Sequence, residues 1–150
     1  VTLSEAMELL CTIVEAALPD ADVLRYYTTT ENLEEQQALF TDKTATGVYH
    51  LWQLKRMKAE GIGDIGQQRH RDNNFKFFVV KAVGADVNAS QLAFEESLDT
   101  AMDALDTGWP VDNSLHMLEM CKTENHGFIP WANLRCHYCE VDVILEKHLS

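Results

Sequence analysis

The residues able to do chemistry fall into a glycine motif, a cysteine–histidine group, scattered histidines, an acidic run and one basic cluster. Gly61-Ile-Gly-Asp-Ile-Gly66 has the G-x-G-x-x-G spacing that lets backbone amides approach a pyrophosphate. That chemistry needs a helix N-terminus directly afterwards, whereas the next residues, Gln67-Gln-Arg-His-Arg-Asp-Asn-Asn74, have no apolar stripe. The glycines therefore read as a flexible arm, and no cofactor-binding residue is expected. Cys136-His-Tyr-Cys139, with Cys121, His116 and His126 upstream, supplies donor types for a tetrahedral zinc site. Residues three apart on a strand point to opposite faces, however, and there is no second C-x-x-C, so no metal ligand is expected. A thioredoxin-like redox pair fails for a related reason, since that motif opens a helix.

His50, His70, His116, His126, His137 and His148 are candidate general bases, but neither a serine elbow nor H-E-x-x-H accompanies them. They read as strand-face or surface histidines, and no catalytic residue and no enzyme activity is expected. Glu95, Glu96, Asp99 and Asp103 form an acidic run that reads as a solvated helix face. Arg69-His-Arg71 is a basic cluster in an acidic chain, and a basic arm on an acidic body suits head-to-tail contact between copies. Arg69, His70 and Arg71, opposed by Glu95 and Asp99 of a neighbour, are the expected oligomer interface.

The elements that must position these residues are organised around Phe75–Val83, apolar on both faces and so read as a central strand. A turn at Gly84 leads to an amphipathic helix starting near Asn88–Gln91 and stopping at Gly108, with Phe94, Leu98, Ala101, Met102 and Leu105 on its packed stripe. Thr2-Leu-Ser-Glu5 is a capping box for a first helix that Pro19-Asp20 ends. Val23–Thr30 reads as a strand, Glu31–Gln37 as a loop or short helix, and Thr46–Met57 as a strand pairing with Phe75–Val83. Lys58–Asn74 reads as an extended hairpin arm or flexible loop, Leu115–Cys121 as a strand, and Glu124–Gly127 as a turn. Pro130-Trp131 leads into a last strand over Leu134–Leu145. This pattern predicts one α+β domain over residues 1–150: a mostly antiparallel sheet with two helices packed on one face and a long hairpin arm.

A length of 150 residues suffices for a core without metal or disulfide, and four scattered cysteines make no disulfide framework. The net charge of −12 disfavours sequence-specific nucleic-acid binding and anionic membranes. With no apolar run of about 18 residues and no basic-then-apolar start, a soluble protein made in a cytoplasm is expected.

The strand Asn74–Val83, the helix Ser90–Asp106 and the closing segment Leu134–Leu145, in this order and with the arm before them, resemble the tail terminator (tail completion) proteins of long-tailed bacteriophages. The resemblance implies a structural virion protein of the phage neck, assembled in the host bacterial cytoplasm. It implies a homo-oligomeric ring, commonly a hexamer, that caps the tail tube, ends its polymerisation and joins it to the head connector. The partners would be copies of itself, the tail tube protein and the connector or stopper protein, with DNA passing through the lumen without specific binding. Alternatives are another neck or head completion (stopper) protein or, more distantly, a small cytosolic metal-dependent enzyme using the histidines and cysteines. The patches expected to meet in a ring are the arm Gly61–Asn74 and a neighbour's sheet or acidic helix.

Overall fold

The structure, a computed structural model, describes residues 2–26, 49–62, 69–110, 115–117 and 119–149. Helix α1 (Leu3–Ala17) opens with the capping box: Glu5 N–H donates to Thr2 Oγ1 at 3.1 Å, and the Glu5 carboxylate accepts from Thr2 N–H. Strands β1 (Asp22–Leu24), β2 (His50–Ile62) and β3 (Arg69–Ala82) precede helix α2 (Val87–Gly108). Strands β4 (Leu115–Met117), β5 (Lys122–Trp131) and β6 (Leu134–Leu149) come after it. The sheet order is β1-β2-β3-β6-β4, with β5 also on β6; β1 runs parallel to β2 and every other pair is antiparallel. The fold is thus α+β, with β3 central between β2 and β6.

Alternation along the three long strands sends one set of side chains to the helices. Trp52 and Leu54, Phe75, Phe77 and Val79, and Cys139, Val141, Val143 and Leu145 pack with Ala6, Leu10, Cys11 and Val14 of α1 and Phe94, Leu98, Ala101 and Leu105 of α2. The opposite face carries a smaller apolar cluster, Leu51, Val80, Ala132 and Cys136, with Ile129, Trp131 and Tyr138 beside it. Arg25 ties the end of β1 back to α1 through Glu8, at 2.9 Å, and Glu15.

Local expectations change at several points. Of the two forms expected for Lys58–Asn74, its described parts take the extended hairpin arm: the β2–β3 ladder continues from Lys58↔Asn74 to Ile62↔His70, and β3 pairs β6 out to Arg69↔Leu149. Pairing on both sides satisfies the backbone of this polar stretch, which side-chain polarity alone does not reveal. An irregularity between Arg56 and Lys58 is a bulge at Met57. Glu124–Gly127 is not a turn between elements but a shift of register inside β5, where Asn125 takes φ 57°. The hairpin reverses instead at Ala132-Asn133, both left-handed (φ 53° and 62°), as a two-residue loop requires, so Pro130 and Trp131 belong to β5.

Helix α2 is capped by Asp86, whose carboxylate accepts from Ala89 N–H at 3.2 Å, slightly before the expected start. Strand β4 is shorter than Leu115–Cys121, β6 runs on to Leu149, and β1 covers Asp22–Leu24 of the expected Val23–Thr30. The remainder of that strand, the Glu31–Gln37 stretch and the start of Thr46–Met57 lie outside the described residues.

Phe77 sits at the centre of this core, wholly buried and edge-on to Trp52 at 5.4 Å. Phe77→Ala is expected to cost about 3–5 kcal/mol of stability, read from urea unfolding; a loss under about 1 kcal/mol would contradict this packing.

Candidate functional site

Two surfaces and two buried polar groups are the places where this fold concentrates charge. At the end of β3, a row crosses the helix-facing side of the sheet: His50 on β2 and His137 on β6 are the register partners of Lys81. Trp52 Nε1–H donates to His50 Nε2 at 2.8 Å, which leaves the ring proton on Nδ1. Burial, then the nearby Lys81 charge, push the His50 pKa down to about 3, so the ring is neutral. His137 lies stacked on Phe94 of α2, ring centres 5.1 Å apart, and its Nε2 meets Ser90 Oγ at 2.7 Å. Ser90 Oγ also accepts from Gly84 N–H at 2.9 Å, so this one hydroxyl joins the β3–α2 turn to β6. Burial, Lys81 and Arg135 together lower the His137 pKa as well.

The other lysine of β3 has a different environment. Lys76, on the face away from the helices, has Glu140 at 2.7 Å, Glu124 at 3.4 Å and Asp142 at 3.6 Å, and Tyr138 Oη donates to Glu140 at 2.6 Å. Burial alone would lower the Lys76 pKa, but these carboxylates outweigh it and raise it. Burial would raise Glu140, and its bonds to Lys76 and Tyr138 lower it instead. Asp142, 6% exposed, moves from 3.8 up to about 6, because of its burial and the neighbouring Glu124 carboxyl.

The cysteine–histidine group does not converge. Cys136 packs with Leu51 and Val80 on one face and Cys139 lies in the helix-side core, as strand alternation dictates. Burial pushes the Cys136 thiol up to about 11 and those of Cys11 and Cys139 up to about 12. His126 stands 3.5 Å from Cys139 Sγ, and Glu95 stands 3.5 Å from its other nitrogen. This Cys–His–Glu line resembles a nucleophile with its base, but a fully buried thiol held far above neutrality is no nucleophile. Among the described residues, no group of three or more His, Cys, Asp or Glu is placed to hold a metal ion. Gly61 and Ile62 end β2, and the chain enters β3 at Arg69 past residues outside the described ones, so no described helix N-terminus stands beside the glycines for phosphate binding.

The expected interface residues separate into two regions. Arg69, His70 and Arg71 begin β3, opposite Leu149, His148 and Lys147 of β6, and Arg71 is exposed. Asp99 is exposed on α2 with Glu96 and Asp103, whereas Glu95 is partly turned inward, accepting from Gln91 at 2.8 Å and paired with His126. Asp106 is also engaged, accepting from Cys121 N–H at 2.9 Å. Sequence reasoning singled out the basic cluster alone. Strand register adds Lys55, Arg56, Lys58, Lys76 and Lys147 to Arg69 and Arg71, so seven of the twelve Lys and Arg fall along the first half of β3 and its partners on β2 and β6, interleaved with Glu60, Asp72, Asp142 and Glu146. The two helices hold Glu5, Glu8, Glu15, Glu95, Glu96, Asp99, Asp103 and Asp106 and not one Lys or Arg. Their signal was the complete absence of cations from both helical periods. No helix among the described residues is long and apolar enough to cross a membrane. No family model and no curated protein matches this chain.

His50 and Asp142 titrate with opposite sign. A histidine depressed in the folded state contributes stability fully above its ordinary 6.5 and loses it as pH falls toward 3. His50→Gln keeps an acceptor for Trp52 and is expected to flatten the acid limb of the stability–pH curve, by up to about 1.4 kcal/mol per pH unit below that value. An unchanged limb in urea titrations would refute it. Asp142 behaves in the other direction: a carboxyl raised on folding contributes below 3.8 and loses that contribution as pH rises through about 6. Asp142→Asn should therefore be more stable than the parent above neutrality and similar to it in acid, as compared by urea midpoints at both ends.

Proposed function

We propose that this chain is a structural ring subunit of a phage neck, of the tail terminator kind, acting through binding and geometry without chemistry. The observation that carries the reading is the separation of charge: helices that hold acids and no cation, and a stretch of sheet that carries seven of the twelve cations against four acids. Two unlike patches on one chain favour heterologous contact, in which the basic patch of one copy meets the acidic patch of the next, and such contacts close into a ring when the rotation per subunit divides a full turn. The like charges left over disfavour wrong registers and keep passing DNA from adhering to an acidic lumen. The α+β architecture, with two helices on one face and a long β2–β3 hairpin, agrees with the resemblance carried by the sequence.

On this reading, a ring, commonly of six copies, seats on the tail tube, ends its growth and offers its other side to the connector. Light scattering across protein and salt concentration is expected to show a discrete oligomer that weakens as salt rises. Arg69→Glu with Arg71→Glu is expected to abolish that oligomer while leaving the circular-dichroism spectrum and melting of the chain unchanged. Assembly unaffected by both substitutions would overturn the assignment of this patch.

A further inference from the structure

We propose that the cleft beside Lys81 binds a small carboxylate with a compact apolar body, the Lys81 ammonium pairing with the carboxylate. The cleft, about 560 Å3, lies between the end of α1, the start of β2 and the end of β3. Its volume suits a small organic ligand. Ala17, Leu18, Ala82, Val83 and Leu134 supply apolar walls around Lys81.

The cation in that wall is uncompensated, which its sister residue makes plain. Lys76, five residues earlier on the same strand, has three carboxylates within 4 Å, whereas Lys81 is half-buried and enters no ion pair or hydrogen bond among the described residues. Its register partners His50 and His137 are neutral and offer no counter-charge. A half-buried ammonium with three unspent donors is costly, and an arriving anion offsets that cost. Tyr49 and His50 also line the cleft, His50 with its Nε2 taken by Trp52, and two further polar groups narrow the choice. Ser97 Oγ is committed to the Phe94 carbonyl at 2.6 Å, and Asp20 lies at the exposed rim. A lining with one cation and the Asp20 carboxylate suits a monoanion better than a dianionic phosphate, which needs a second positive partner. Burial holds the Lys81 pKa below the usual lysine range, and a bound carboxylate would raise it again.

This inference stands on the cleft and does not rest on the ring assignment. The same carboxylate chemistry can arrive as a free organic acid or as an acidic side chain of a neighbouring copy. The test is calorimetric titration of the full chain with hexanoate, and with hexanamide as its uncharged counterpart. Saturable binding of hexanoate is expected, about tenfold or more weaker for hexanamide and for Lys81→Met, and largely retained by Lys81→Arg, with circular dichroism confirming that both variants fold. No saturable binding of hexanoate, equal binding of the amide, or binding undiminished in folded Lys81→Met would overturn the proposal. Light scattering with saturating hexanoate then separates the sources: loss of self-association identifies a neighbour's carboxylate, and unchanged self-association identifies a free acid.

Discussion

The double pairing of β3 is the constraint on which the rest of this structure depends. β2 on one side and β6 on the other satisfy its backbone from Arg69 to Ala82, so a chain segment apolar on both faces in its second half and polar in its first can remain one continuous strand. Everything with a defined position hangs from that ladder. Helices α1 and α2 cover the face bearing Phe75, Phe77 and Val79, β1 extends the β2 side, and β4 and β5 share the outer edge of β6. The polar first half of β3 would not hold its place by hydrophobic burial. It is held by hydrogen bonds, and this carries Arg69, His70 and Arg71 to a defined end of the sheet.

The same ladder explains why two lysines five residues apart on one strand have opposite chemistry. An odd spacing sends Lys76 to the face where Glu140, Asp142 and Glu124 gather and Lys81 to the face where its neighbours are histidines. On the first face, the Lys76 ammonium is met by carboxylates, with Asp142 raised by its burial and by the neighbouring Glu124 carboxyl. On the second, His50 and His137 stay unprotonated beside the charged Lys81, which lines a cleft. Asp142 and His50 therefore respond to pH with opposite sign, because one keeps its proton to a higher pH than in the unfolded chain and the other excludes a proton that the unfolded chain would take up.

Among the described residues, the cysteine–histidine group is not placed for the chemistry it first suggests. The two thiols of the C-x-x-C lie on opposite faces of β6, and burial keeps all four cysteines protonated. The distribution of charge is the more informative feature. Helices without a single cation and a stretch of sheet rich in them give one molecule two unlike surfaces, which is the physical requirement for copies to associate head to tail.

Much of the scaffold was legible in residue order alone. The Thr2–Glu5 box, the stop at Gly108, the stripe Phe94–Leu98–Ala101–Leu105, the alternation of β6 and the opposite faces of Lys76 and Lys81 are all set by helical and strand periods, which are local properties. The opposite faces of Cys136 and Cys139 came from the same rule. What the periods could not specify was who pairs with whom. The continuation of the ladder through Lys58–Asn74, the bulge at Glu124–Gly127 and the reversal at Ala132-Asn133 depend on backbone hydrogen bonds to distant strands, and polar side chains conceal these. The row His50–Lys81–His137, the Ser90 hydroxyl that reaches it and the placing of Lys147 opposite Arg71 and of Lys55 opposite Lys76 likewise arise only when register brings together residues far apart in the chain. Sequence by itself determined the faces of each element, because side-chain direction repeats with the local backbone; tertiary structure decided the sites, because a site is a set of neighbours and strand pairing alone chooses them.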